Sequence, residues 1–111
     1  MVFDFILKHK GSKAFKNFSD DDILLDVTND IRNNRAFIFG KESVTGYLSW
    51  CFNRPKIVHI KQLISTEPLA YVAKFMQDCF AGFCIVSFYR HNRVRFFSMK
   101  DITTRVIKFY G

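Results

Sequence analysis

No stretch of the 111 residues approaches the roughly 20 consecutive apolar residues of a membrane span, so neither a transmembrane helix nor a membrane partner is expected. The opening MVFDFILKHKGSKAF carries an early Asp4 and no small-residue cleavage pattern, which argues against a signal peptide. Cysteine is scarce and odd in number: Cys51, Cys79 and Cys84. Each sits in an apolar setting, and the three lack metal-site spacing. They read as buried free thiols in a reducing compartment, without a structural metal, and a cytoplasmic protein is expected. There is no Walker loop, no HExxH and no paired-cysteine motif. Internal repeats and low-complexity segments are absent too. What is present is a chain sized for one domain, residues 1–111, with 49% hydrophobic residues and 14 phenylalanines to build a core.

The net charge of +7 is unevenly spread. Asp20, Asp21, Asp22, Asp26 and Asp30 place half of the ten acids in one predicted helix. The densest basic run is Arg90, Arg93, Arg95, Lys100, Arg105 and Lys108. Such asymmetry fits an anionic partner, or simply a small basic domain that stays soluble. Between Tyr89 and Phe97, basic and aromatic residues interleave. That pattern suits phosphate contacts by Arg90, Arg93, Arg95 and Lys100, with base stacking by phenylalanine. The competing expectation is an edge strand with solvated arginines and Phe96 turned into the core.

The central stretch is KIVHIKQLISTEPLAYVAKFMQDCFAGF, residues 56–83. Residues 56–64 read as a buried strand, because Ile57, Val58, Ile60 and Ile64 crowd a helix and fit a pleat. Ser65, Thr66, Glu67 and Pro68 read as a helix start. Leu69, Val72, Ala73, Phe75, Met76, Cys79 and Phe80 follow helical spacing over 66–80, and Gly82 ends it. A strand over 84–90 follows. Phe75, Met76, Trp50 and Ile60 are expected in the core.

Around this centre, Phe3, Phe5 and Leu7 predict a first strand over 2–8. Ser19 with Asp22 approximates a capping box for an acidic helix. Ile23, Leu24, Val27 and Ile31 form its inner stripe, Phe18 staples onto it near Ile23, and Asn33 and Asn34 end it. Strands over 36–39 and 44–52 form a hairpin, with Tyr47, Ser49 and Cys51 on the face opposite Leu48 and Trp50. Residues 93–99 read as a returning strand or a short helix. Residues 102–110 read as a helix capped by Asp101 or as a strand. The fold class is therefore α+β: a mixed or antiparallel sheet with a central helix, in the order β-α-β-β-β-α-β plus a short terminal element.

With the run VTGYLSW at 44–50 and the strand–helix–strand centre, this order resembles a minimal GNAT-type N-acetyltransferase, over residues 36 to about 97. Small phage proteins and toxin-activating acyltransferases share the layout. The resemblance implies a GNAT-like fold that binds acetyl-CoA or another acyl-CoA, with Ile64, Thr66, Leu69, Ala70 and Asn92 in the cofactor positions. The matching stretch, Ser65 to Tyr71, contains no glycine. Phe97 stands where the family's general-acid tyrosine would be. The resemblance thus implies an acyltransferase scaffold with degenerate or absent transfer activity, acting through a protein partner in the cytoplasm or a virion. Independently of it, His59 on the central strand is the one candidate general base, or else a partly buried histidine with one hydrogen bond.

Overall fold

The computed structural model describes residues 2–9, 18–83, 85–90 and 93–101. Among these residues the fold is α+β, with three α-helices: α1 (Val2–His9), α2 (Asp20–Arg32) and α3 (Leu69–Cys79). Its five strands are β1 (Ala36–Phe39), β2 (Gly46–Arg54), β3 (Ile57–Ser65), β4 (Ile85–Arg90) and β5 (Arg93–Ser98), followed by a 3-10 turn at Met99–Asp101. The strands form one mixed sheet in the order β1-β2-β3-β4-β5. Residues cluster into two compact units, Met1–Trp50 with Lys61–Thr66 and Cys51–Ile60 with Glu67–Gly111.

In the first unit, α2 starts as its sequence dictates. Ser19 Oγ accepts from the Asp22 N–H at 3.1 Å, and Asp22 Oδ2 accepts from the Ser19 N–H at 3.4 Å, completing a capping box. The helix ends at Asn33, whose N–H reaches Asn29 O, and Asn34 takes the left-handed φ of 56°. Ile23 and Val27 of α2 join Phe5, Ile6, Tyr47 and Ile64 in one buried cluster. β1 pairs antiparallel with β2, with Ala36 opposite Ser49 and Phe39 opposite Gly46. Glycine at 46 is required by packing, since a Cβ there would collide with the Phe39 ring and lie 3.3 Å from Ile64 O.

Two expectations fail in this unit. Residues 2–8 are not a strand but lie within helix α1, so the predicted order loses its first strand. Val2, Phe5, Ile6 and His9 repeat at helical spacing; burying Phe5 and Ile6 while Asp4 and Lys8 stay wet satisfies the segment as a helix. Leu24 is not on the inner face of α2: it is 47% exposed, and Asp30 is buried in its stead at 6%. Phe18, expected to staple near Ile23, lines a groove with Leu25 and is 41% exposed.

In the second unit, the Pro55-Lys56 turn opens β3, with Lys56 at φ 63° as a turn of proline followed by a left-handed residue requires. Ile57–Ile60 of β3 pair parallel with Ile85–Phe88 of β4, across the α3 crossover. β4 then pairs antiparallel with β5 from Ile85 opposite Ser98 to Arg90 opposite Arg93. Residues 93–98 are thus the returning strand. Val58, Ile60, Val86 and Phe88 are at most 1% exposed, as are Val72, Ala73 and Met76 of α3. Phe75 is only half buried, against its expected core position, whereas Met76, Ile60 and Trp50 are buried as expected. Cys51 is half buried and Cys79 exposed, which corrects the expectation of buried thiols at 79. Cys84 and residues 102–110 lie outside the described residues.

Candidate functional site

The polar side chains that the apolar strands tolerate are concentrated in two places. In the first unit, Lys61 and Gln62 interrupt the β3 apolar run and turn their heads to α2. Lys61 Nζ donates to Asp30 Oδ2 at 2.7 Å and to Asp26 Oδ1 at 3.3 Å. Gln62 Nε2 donates to Asp26 Oδ2 at 3.1 Å, and Gln62 Oε1 accepts a hydrogen bond from Ser49 Oγ of β2. Asp26 and Asp30 lie one helical turn apart, so one face of α2 presents both carboxylates. Burial alone would lower the Lys61 pKa. Its hydrogen bond to Asp30 and the charges of Asp26 and Asp30 outweigh that and hold it above the ordinary 10.5.

Tyr47 sits beside this network, fully buried. Burial first, then the charge of Asp30, pushes its phenol well above the ordinary 10.0. Its hydroxyl has no hydrogen-bond partner of good geometry among the described residues, although the Ser49 hydroxyl, which donates to Gln62, is near enough to offset part of that rise. A fixed ammonium, the Gln62 amide and two carboxylates form a clamp between helix and sheet, with the neutral Tyr47 phenol beside it. The signal for the clamp was the Lys61-Gln62 pair itself, since polar heads on a buried strand require partners.

In the second unit, β3 holds His59 half buried, with Nδ1 2.8 Å from the Ser87 Oγ of β4. Their strands place them opposite each other. Ser87 is 1% exposed, so it fixes the imidazole and is not itself presented as a nucleophile. On β5, Arg93 is exposed and Phe96 is 58% exposed, while Phe97 turns inward to Phe88 at 6.1 Å between ring centroids. This overturns the inward placement of Phe96. Adjacent strand residues point to opposite faces, and the β4 register gives the inner one to Phe97. Arg95 is half buried, and its Nε is buried without a hydrogen-bond partner among the described residues. Lys100 is exposed. The Arg90 side chain and Asn92 lie outside the described residues.

The expected cofactor positions are divided between the two units, Ile64 and Thr66 in the first and Leu69 and Ala70 in the second. Ile64 is part of the first unit's core at 7% exposure. Thr66 does not cap α3, because its hydroxyl and N–H both bond the Thr45 carbonyl, at 3.2 and 2.8 Å. The cap is Pro68, with no side-chain hydrogen bond. An ordinary helix start offers about four unpaired N–H groups. Pro68 has none to give, and Tyr71 donates to Pro68 O at 3.0 Å. That leaves the amides of Leu69 and Ala70, with the acidic Glu67 immediately before the cap. Two donors next to an acidic residue suit a diphosphate poorly.

Among the described residues no cluster of three His, Cys, Asp or Glu could hold a metal ion, and no helix is long and apolar enough to cross a membrane. Comparison with protein-family models, curated proteins and solved structures finds no match to this chain.

Proposed function

We propose that the chain is a GNAT-like acyltransferase scaffold that does not turn over acyl-CoA and acts by binding a protein partner. Support for the scaffold comes from consecutive neighbouring strands β1, β2 and β3, followed by the α3 crossover to parallel β4. The observation that carries the loss of transfer is the α3 N-terminus, where Glu67 and Pro68 stand in place of a glycine-rich amide cradle. Calorimetry of the full chain with acetyl-CoA and with CoA tests it. Silence at millimolar ligand is expected. Micromolar binding would overturn the proposal and make His59, held by Ser87, the proton acceptor to probe by His59→Ala.

A second reading, single-stranded nucleic-acid binding, is favoured by the exposure of Phe96. Residues 51–60 and 67–111 carry nine Lys and Arg against three Asp and Glu, a net +6; the remaining residues carry eight against seven, a net +1. An exposed ring in the basic part of a chain suits base stacking with phosphate contacts from Arg93, Arg95 and Lys100. Oligonucleotide affinity measured across a salt series tests it. Arg93→Ala with Arg95→Ala should flatten the slope by up to about one unit per lost contact. Phe96→Ala should lower affinity at unchanged melting temperature. An unchanged slope in the double variant removes this reading.

A further inference from the structure

The first unit holds a groove of about 330 Å³ that shares only Asp26 with the polar clamp. Its lining is Phe18, Asp22, Leu25, Asp26 and Asn29. The four α2 residues fall at i, i+3, i+4 and i+7, one stripe along the helix. This stripe is distinct from the buried one of Ile23, Val27 and Asp30. Two large apolar side chains are exposed in it, Phe18 at 41% and Leu25 at 64%. The charged residues on its lining are Asp22 and Asp26, the latter shared with Lys61, and the exposed Asp21, one turn before Leu25, extends the acidic rim.

We infer that this face of α2 docks a cationic amphipathic helix of a partner protein. Three features select that occupant. A helical stripe at this spacing is the surface into which another helix lays its side chains. The apolar centre asks for aliphatic anchors, which a nucleic acid does not offer. The acidic rim asks for Lys or Arg flanking those anchors, and repels anionic lipid and nucleic acid alike. The inference deepens the protein-binding proposal. Its failure would leave the missing acyl-CoA cradle, tested by calorimetry, untouched.

The probe is a fluorescein-labelled Lys/Leu peptide of about 18 residues, five helical turns, with leucines at helical spacing. Its composition-matched control alternates Lys and Leu. Anisotropy with the full chain should give micromolar affinity for the helical peptide and at least about tenfold weaker affinity for the alternating one. Leu25→Ser should weaken the helical peptide about tenfold. Asn29→Lys, which puts a positive charge in the groove without touching an apolar contact, should do the same, so the result does not depend on one variant's folding. Lys74→Ala, exposed on α3, should bind as the wild type does. Equal affinity for the two peptides, or wild-type affinity in both groove variants, overturns the inference.

Discussion

Lys61→Met isolates the clamp that ties α2 to β3. The ammonium lies 2.7 Å from Asp30 and 3.3 Å from Asp26, with side-chain exposures of 26%, 9% and 27% in the order Lys61, Asp30 and Asp26. At an effective dielectric near 20, the attraction at the shorter distance is roughly 6 kcal/mol before desolvation. Desolvation of both ions cancels most of it, so the intact pair contributes little net stability. Removing the lysine is different, because Asp30 stays charged and buried with its cation gone. We expect a loss of about 2–4 kcal/mol, seen in urea unfolding as a midpoint lowered by roughly 1–2 M at unchanged slope. Adding Asp30→Leu should recover most of it by replacing the pair with apolar volume. The pH dependence has a fixed sign. The Lys61 pKa is raised on folding, so its contribution is complete below the ordinary 10.5 and fades as pH rises through the folded value. Wild type and Lys61→Met should therefore differ by a constant amount at neutral pH and converge above about pH 10.5. A single-variant loss below about 0.5 kcal/mol, or a double variant no better than the single, would refute the assignment.

Met76→Ala should cost about 2–5 kcal/mol in thermal unfolding, and Phe75→Ala clearly less, because Met76 is fully buried and Phe75 only half buried. Equal losses would mean that the helix is rotated. Tyr47→Phe removes a buried hydroxyl that has no partner of good geometry among the described residues, and should be neutral or stabilising by up to about 1 kcal/mol in urea titration; a loss above that would reveal a hydrogen bond. Gly46→Ala should cost about 1–3 kcal/mol, because the new methyl group meets the Phe39 ring, and a Phe39→Leu background should relieve part of it.

The central strand and the acidic helix were legible because several local signals agreed there. β-branched residues at 57, 58, 60 and 64 exclude a helix, and the Ser19–Asp22 box fixes where α2 begins. The N-terminus was not legible. Val2, Phe3, Phe5, Ile6 and Leu7 satisfy an alternating pattern and a helical one equally, and burial of Phe5 and Ile6 with Ile23, Val27 and Tyr47 settles which period is used. The start of α3 misled for a different reason. Thr66 has the right chemistry for a cap, but a carbonyl of Thr45, distant in sequence, claims both its hydroxyl and its amide. Propensity describes what a residue can bond locally, and a long-range acceptor changes the competition.

Phe96 and Phe97 show where sequence reasoning stops at the candidate sites. Two adjacent aromatics on a strand face opposite ways, so the two are buried together only where both faces of the sheet are covered, as at Leu63 and Ile64. Composition favours burying aromatics and cannot say which of the two is left out. Only the pairing of β5 with β4 decides it, by setting Phe97 opposite Val86 and Phe96 opposite Ser87. The same logic applies to Asp26 and Asp30. Their spacing places them together on α2, but nothing local distinguishes a solvated acid pair from one facing a lysine some thirty residues away. In both cases the chemistry is written in the sequence, while its direction comes from the register of a neighbouring strand. That is why the functional proposals here rest on exposure and hydrogen bonding at Phe96, Glu67, Pro68 and Leu25 rather than on motif.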